Sequence, residues 1–317
     1  MYWGVVVFET LCWLVFFSML GTLTYLSYKR GRILPGLWFV LGIFAMSWIE
    51  APFDNAMYAQ FHPDFRRLPA IGPIGMTQGQ LPVIAPPGYI MYFLLPALIA
   101  VGIAKLIIKR FDTNRVNTLV SCGLAVGIIW DLSIEGLQAQ YLHLWTFSRV
   151  VPGLAISNGM GLLPAYIPLA MAAFIVFAAV IVGNTTPDGD SVLDVWTKSK
   201  TTSPGIRLGL QAVAYIVLCN VVYAATYLPH AITKYAGMLT QTGVLVPYPG
   251  KIAMQPESGG PQSNGALGAI IMWGLLIGCV ALTSWCAKRA DRILIAPTLP
   301  TPATTDPAVE RKPSLAT

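Results

Sequence analysis

The sequence predicts an all-α fold, a bundle of about seven transmembrane helices with the N-terminus outside and the C-terminus inside the cell. Of its 317 residues, 55% are hydrophobic and only 11% are charged, whereas about a quarter of a soluble domain is charged. The mean hydropathy is +0.63. Seven apolar runs are long enough to cross about 30 Å of hydrocarbon, and the basic residues gather beside these runs.

The apolar runs follow one another along the chain with polar breaks between them. We expect the spans near residues 3–27, 34–52, 87–108, 117–139, 163–183, 206–228 and 266–287. The first run lacks the basic start of a signal peptide and is therefore read as a retained helix. The second ends at Pro52, where a proline interrupts helical hydrogen bonding.

The remaining segments are connections and a tail. Residues 1–295 are predicted to form a single transmembrane domain, whereas residues 296–317 are rich in Pro and Thr and are predicted to be a disordered cytoplasmic tail. The loop 184–205 reads as polar and plain. The outer loops 52–86, 140–162 and 229–265 are rich in aromatic residues, and we expect them to fold over the helix ends as a lid.

The distribution of Lys and Arg sets the predicted orientation. Fifteen basic residues fall on one side of the predicted membrane and five on the other, Arg66, Arg67, Arg149, Lys234 and Lys251. The positive-inside rule makes the richer side cytoplasmic. We therefore expect a multi-pass protein of the cell membrane that has the bilayer as a partner.

Several function classes find no support in the sequence. The net charge of +6 sits at span ends rather than on one basic face, so no nucleic-acid partner is expected. The five cysteines form no CxxC pair and read as packing residues. The three histidines, assigned to outer loops, lack the spacing of metal ligands, so neither a metal site nor a cofactor is expected. P-loop, GxGxxG and GxSxG motifs are absent.

The most informative feature is a pair of acids inside the fourth apolar run. Asp131 and Glu135 are four residues apart and therefore share one helix face. A charged side chain in the hydrocarbon costs at least about 2.5 kcal/mol. With the predicted orientation, Glu9, Glu50 and Asp54 fall in the same outer half of the membrane. We expect one shared acidic cavity whose carboxyl groups cannot all be ionised; the alternative for each acid is a packing role with a polar neighbour.

Two pairs of glycines carry the GxxxG spacing that brings helices close together. These are Gly123 with Gly127 and Gly274 with Gly278. Small residues at this spacing let backbones approach in membranes, so both pairs are candidate helix contacts.

Four short motifs in order resemble the AveC-type spirocyclase family of actinobacterial membrane proteins. They are EAPFDNAMY from Glu50, APPGYIMY from Ala85, WDLSIE from Trp130 and LWTFSR ending at Arg149. The resemblance covers roughly residues 35–185. It implies dehydration and stereoselective spiroketal formation on a polyketide precursor in secondary metabolism.

Together the acids and the resemblance predict a cofactor-independent cyclase or dehydratase within the membrane. Its substrate would be a lipophilic polyketide-, terpenoid- or sterol-like molecule. On physical grounds Glu135 is the candidate acid and Asp131 the stabilising carboxylate, with Glu50 and Asp54 completing the cavity. The candidate substrate contacts, which are aromatic except for one arginine, are Tyr58, Tyr92, Trp130, Trp145 and Arg149. The sequence leaves the oligomeric state open.

Two other functions compete with this one. Embedded acids also serve proton relays, so a proton-coupled transporter or an accessory membrane subunit of a lipid import system is the alternative. Against it, the spans show no inverted repeat, and the acids lie on one side rather than at the midplane. A ligand-binding sensor is favoured only by the number of spans.

Overall fold

The computed structural model describes residues 2–77, 81–157, 162–241 and 265–295. The predicted tail 296–317 and most of the predicted outer loop 229–265 lie outside the described residues. Within them the all-α fold is confirmed, and the main helices share one hydrophobic core.

Each predicted span coincides with a helix or a chain of helices. The helices are α1 (Trp3–Lys29), α2 (Pro35–Met46), α3 (Glu50–Met57), α4 (Ala85–Tyr89), α5 (Leu95–Phe111), α6 (Arg115–Gln140), α7 (Ile167–Gly183), α8 (Val192–Lys200), α9 (Pro204–Tyr235) and α10 (Gly265–Ile295). Of these, α3, α4 and α8 are short. A 3-10 turn, Ser47–Ile49, joins α2 to α3, and a π-helical segment, Ile90–Leu94, joins α4 to α5.

Six segments in the described part of the chain are long and apolar enough to cross a membrane. The segment Ile167–Gly183 is apolar but shorter, at 17 residues. At 1.5 Å per residue it spans about 25 Å, near the lower limit for a transmembrane helix. Nearly all of α7 is buried, so it forms the centre of the bundle. The inside-outside orientation stays a prediction.

Prolines explain where two helices change their winding. Pro52 has no N–H to donate to the carbonyl of Trp48, and the chain tightens into the 3-10 turn just before α3. The helical path then continues to Met57, beyond the predicted end of the second span. Pro96 likewise cannot bond to the carbonyl of Tyr92, and the helix widens into the π segment there.

A third proline lies inside α9 and is accommodated by a neighbouring helix. Pro229 leaves the carbonyl of Ala225 without its helical donor. The thiol of Cys279 on α10 is 3.7 Å from that carbonyl oxygen and donates to it. A backbone acceptor inside a membrane bundle therefore gains a partner from the next helix.

Glycines bring α6 and α7 into close contact. A Cβ atom on Gly127 would lie 2.8 Å from the Cα of Ala172, and one on Gly123 would lie 3.0 Å from the Cα of Val176. The first GxxxG pair therefore marks a real helix contact. The second pair, Gly274 and Gly278, has no atom within 4 Å of the corresponding positions, so it forms no such contact with the described residues.

Short strands, which were not predicted, connect the loops at one end of the bundle. Strand β1 (Ala59–Phe61) pairs antiparallel with β2 (Trp145–Phe147), with Gln60 opposite Thr146. Strand β3 (Arg149–Val150) pairs with β6 (Thr240–Gln241), and β4 (Ala155–Ser157) pairs with β5 (Leu162–Pro164). The pairing ties the loops after α3, α6 and α9 together over the helix ends, as expected of a lid.

The loop 184–205 is more structured than the sequence reading allowed. It contains α8, which begins with a capping box in which the side chains of Ser191 and Asp194 each bond to the other residue's backbone N–H. Asp194 also accepts a hydrogen bond from the amide of Gln211 on α9 at 2.7 Å. The helix is thereby fixed against the bundle.

The glycine contact leads to a stability prediction. Gly127→Ala places a methyl group where Ala172 already stands, so α6 and α7 must separate, at a cost of about 1–3 kcal/mol. We expect a lower Tm in detergent for this variant. Gly278→Ala, whose added methyl meets open space, is the matched control, and an equal loss of stability there would contradict the packing argument.

The orientation leads to a second prediction. Tyr141 is 65% exposed at the end of α6, and Ser199 is exposed on α8. In a Cys286→Ser background, the Tyr141→Cys variant should react with a membrane-impermeant maleimide in intact cells. The Ser199→Cys variant should react only after permeabilisation, and the reverse pattern would invert the topology.

Candidate active site

A cavity lies at the end of the bundle where the strands pair. Its walls come from α3, α4, the π segment and α6, with contributions from α1, α7, β1, β2 and the loop that follows β1. About 70 Å³ is free inside it, enough for a few water molecules. Most of its walls are aromatic or aliphatic, so it is an apolar chamber with a few polar groups.

Three carboxyl groups line this cavity. Glu50 and Asp54 come from α3, one turn apart on the same face, and Glu135 comes from the last part of α6. Asp54 and Glu135 are buried, and Glu50 is partly buried. The three groups are close enough to interact electrostatically. The structure thus brings together acids that the sequence placed on two separate helices.

Glu50 is held by a chain of two tyrosine hydroxyls. Tyr223 on α9 donates to Glu50 Oε2 at 3.0 Å, and the hydroxyl of Tyr89 is 2.6 Å from that of Tyr223. Phe53 stacks on the ring of Tyr223 with centroids 5.4 Å apart. Both tyrosines are buried, so their hydroxyls give the carboxyl group partners where water is scarce.

Glu135 is held by a tryptophan from the lid. The indole Nε1–H of Trp145 on β2 donates to Glu135 Oε1 at 3.3 Å. Asp131, one turn back on α6, is buried and close enough to Glu135 to interact with it electrostatically, and neither of its carboxyl oxygens has a hydrogen-bond partner among the described residues. Asp131 is not among the described residues that line the cavity. Its position behind Glu135 differs from the direct contact expected for a stabilising carboxylate.

Two further polar groups differ in how well they are satisfied. Asp54 Oδ2 is buried and has no hydrogen-bond partner among the described residues. The hydroxyl of Tyr92, on the cavity wall, donates to the side-chain oxygen of Gln138 on α6. Asp54 therefore has an oxygen that can accept a hydrogen bond from a ligand, whereas the hydroxyl of Tyr92 already donates its proton to Gln138.

Glu9 does not belong to the cavity, which corrects the expectation of five acids around it. It forms an ion pair with Arg66 of the loop after β1, with Arg66 Nη2 3.0 Å and Nε 3.1 Å from Oε2. The backbone N–H of Arg66 also donates to Oε1 at 3.3 Å. Glu9 anchors this loop to α1, next to the cavity wall that Phe8 and Phe65 supply.

The predicted substrate contacts divide into two groups. Tyr92 and Trp145 line the cavity, whereas Tyr58, Trp130 and Arg149 are not among its described lining residues. Tyr58 has a positive φ of 54° at the end of α3, a conformation that is uncommon outside glycine. The Arg149 guanidinium lies 5.0 Å from the centre of the Tyr58 ring. This pair therefore shapes the turn that leads into β1.

The sequence reasoning missed the tyrosines that hold Glu50. Tyr89 lies in the APPGYIMY motif, and Tyr223 is a polar-tipped side chain in the middle of an otherwise apolar span. A buried tyrosine hydroxyl needs a partner, and this need could have indicated Tyr223. Nothing in the sequence indicates that α9 packs beside α3.

One histidine, His230, lies in a different element from the predicted one. His230 lies inside α9, not in an outer loop, and it is 1% exposed. Its ring packs against Phe53 and Tyr166 at 4.8 and 5.4 Å, and Nδ1 is 3.0 Å from the carbonyl oxygen of Thr226. No group of three or more potential metal ligands occurs within the described residues.

Comparisons with known proteins give one match. A family model described as "Spirocyclase AveC-like" matches residues 29–253, which include every helix that supplies an acid to the cavity. No curated protein and no solved structure matches the chain.

The ion pair of Glu9 leads to a prediction about the loop that covers the cavity. Glu9→Gln removes the charge that holds Arg66, whose side chain is 65% exposed. Exposed pairs contribute at most about 1 kcal/mol, so we expect hydrogen exchange in the peptide 66–77 to rise by a few fold. Lys198→Gln, which breaks a surface pair with Asp190 at the other end, should leave that peptide unchanged. Unchanged exchange in both variants would show that the pair does not hold the loop.

Proposed function

The chain belongs to the AveC-like spirocyclase family, and on this premise we propose that it is a cyclase or dehydratase that works by acid-base chemistry inside the membrane. The observation that carries the proposal is the placement of Glu50, Asp54 and Glu135 on the walls of one apolar cavity. One carboxyl group gives a proton and another receives one, which is the pair of roles that an acid-catalysed ring closure needs.

The proposed reaction is the loss of water from a hemiketal followed by ring closure. Glu135 protonates the hemiketal hydroxyl and the C–O bond breaks. Water departs, and an oxocarbenium-like cation remains on the substrate. A second hydroxyl of the same molecule attacks this carbon and forms the new C–O bond. A carboxylate of α3 takes the proton that this hydroxyl releases, so the substrate loses one water overall. The next turnover begins when Glu135 has regained a proton from the α3 carboxyl group.

The contacts of each acid support this division of roles. Asp131 is buried beside Glu135 and interacts with it. Two adjacent buried carboxyl groups cannot readily both be ionised, so Asp131 is a positioning residue that keeps Glu135 able to donate. Glu50 accepts a hydrogen bond from the hydroxyl of Tyr223. Asp54 has a buried oxygen without a hydrogen-bond partner among the described residues, and with it Asp54 can stabilise the cation and accept the last proton.

The walls of the cavity favour closure over hydrolysis. Aromatic rings of Phe53, Phe93 and Phe147 surround the acids. An apolar site limits the access of water, which would otherwise capture the cation. The same rings can pack against a lipophilic substrate of the polyketide, terpenoid or sterol-like class.

The size of the cavity restricts how such a substrate binds. About 70 Å³ is far below the 300–1,000 Å³ of pockets that enclose drug-sized ligands. In this conformation the cavity accommodates only the reacting centre of such a substrate. The loop after β1, which supplies Phe65 and is tied down by Arg66, must move for a larger substrate to enter.

The acids lead to a prediction about activity. Glu135→Gln keeps the shape of the side chain but cannot donate a proton, and we expect turnover to fall by about 10²–10⁴-fold. The host gene is replaced by the variant, and lipophilic metabolites are compared by mass spectrometry for pairs that differ by one water. The hydrated member should accumulate in the variant. Asp190→Asn, at the opposite end of the bundle, is the control and should leave the pair unchanged.

The same experiment separates the proposal from the transport alternative. If the Glu135→Gln strain makes the same metabolites but distributes them differently between cells and medium, the protein is a transporter and not a cyclase.

The tyrosine that holds Glu50 leads to a further prediction. Tyr223→Phe removes the donor to Glu50 while keeping the ring that stacks on Phe53. We expect turnover to fall about tenfold, the equivalent of one hydrogen bond to a charged group at roughly 1.5 kcal/mol. Tyr215→Phe is a matched control on the same helix, since the Tyr215 hydroxyl lies 3.2 Å from that of Ser191, away from the cavity. Equal losses in the two variants would point to a general effect of destabilising α9.

A further inference from the structure

A second and larger cavity lies toward the other end of the bundle. It is a groove of about 470 Å³ between α1 and α5, closed by the start of α2 and the loop after α7. The two cavities share no lining residue. Along α1, Phe8 lines the acidic cavity and Ser18 is the first residue to line the groove, about 15 Å further along the helix at 1.5 Å per residue.

The walls of the groove are apolar. Met19 and Leu23 of α1 face Leu98 and Val101 of α5 across it. Gly102 has no atom within 4 Å of the position that its Cβ would take, so the space beside α5 is open. The groove has the length and the lining to receive a hydrocarbon chain.

The rim of the groove is basic. Arg30, Arg32 and Lys105 line it, and Arg32 is bound to Asp190 at 3.1 Å. Asp190 also binds Lys198, so this single acid is shared by two cations. In the described part of the chain, Arg30 and Lys105 have no carboxylate partner. The rim therefore carries uncompensated positive charge.

The surroundings of the rim are those of a lipid-facing surface. Tyr25 of α1 and Leu106 of α5 are 62% and 70% exposed. In a helix bundle that crosses a membrane, large exposed apolar side chains face lipid, and tyrosine is common at the level of the headgroups. The groove therefore lies where a bilayer lipid can reach it.

We propose that this groove is a binding site for one anionic phospholipid of the membrane. An acyl chain lies between α1 and α5 against Leu23 and Leu98, and the phosphate lies between Arg30 and Lys105. Basic pockets between transmembrane helices bind anionic headgroups, and the apolar walls select a lipid over a free phosphate. The proposal does not depend on the function proposed for the acidic cavity.

The test is lipid binding to the purified full chain by native mass spectrometry. Detergent micelles are supplemented with phosphatidylglycerol or with phosphatidylcholine of the same acyl chains. We expect one phosphatidylglycerol to bind at least tenfold more tightly than phosphatidylcholine. The Arg30→Gln, Lys105→Gln double variant should lose this preference, since each basic side chain near a headgroup contributes several-fold in affinity.

A matched control uses the same number of charges at the same ends of the two helices. Lys29 and Lys109 do not line the groove, and the Lys29→Gln, Lys109→Gln double variant should keep the preference within about twofold. Gly102→Leu fills the groove without changing its charge and should abolish binding of the lipid. Circular dichroism and a single gel-filtration peak confirm that each variant is folded.

Four outcomes would overturn the proposal. Equal binding of the two lipids would show that the headgroup charge is not recognised. Equal losses in the groove and control double variants would show a general effect of surface charge. Retained binding in the Gly102→Leu variant would place the lipid elsewhere, and inorganic phosphate that displaces the lipid would show a site for a free anion.

Discussion

The cost of burying carboxyl groups inside a bundle that crosses the membrane shapes the rest of the structure. Ionised groups in the hydrocarbon are expensive. Neighbouring elements donate hydrogen bonds to three of the carboxyl groups, whereas Asp54 Oδ2 and both oxygens of Asp131 have no partner among the described residues. Glu50 accepts a hydrogen bond from Tyr223, and Glu135 accepts one from Trp145. Glu9 accepts a hydrogen bond from the side chain of Arg66. Three elements that are far apart in sequence, α9, β2 and the loop after β1, are thereby held at the same end of the bundle.

The helices that carry the acids are positioned by small residues and prolines. Gly123 and Gly127 let α6 lie directly against α7, so Glu135 projects from a helix whose place is fixed by backbone contact. Pro52 forces the turn before α3, and this turn sets the direction from which Glu50 and Asp54 enter the cavity. Pro96 does the same for the π segment that carries Tyr92. Such local changes in winding are frequent at functional sites.

The sequence predicted features that follow from local spacing and missed those that depend on helix neighbours. The apolar runs, the shared face of Asp131 and Glu135 and the first GxxxG contact all rest on helical periodicity, which a single sequence contains. The capping box of α8 has the same kind of local signal, Ser191 followed three residues later by Asp194, and the prediction of a plain loop overlooks it. Which acids share a cavity depends on how α1, α3 and α6 lie relative to one another. Glu9 of α1 is bound by Arg66 and stays outside the cavity wall, and no spacing in the chain encodes this arrangement.

The lid both limits the volume of the acidic cavity and supplies contacts to its acids. The lid supplies Trp145 to Glu135 and the Phe65 ring to the wall, so the site is complete only when the lid is closed. A substrate of the proposed lipophilic class needs more room than about 70 Å³. An opening lid would withdraw the Trp145 donor from Glu135 and admit water, and a closing lid would restore both the hydrogen bond and the apolar surroundings. Under the proposed function, β2 would thus couple entry of the substrate to the readiness of the acid, and proton transfer would be confined to the closed state.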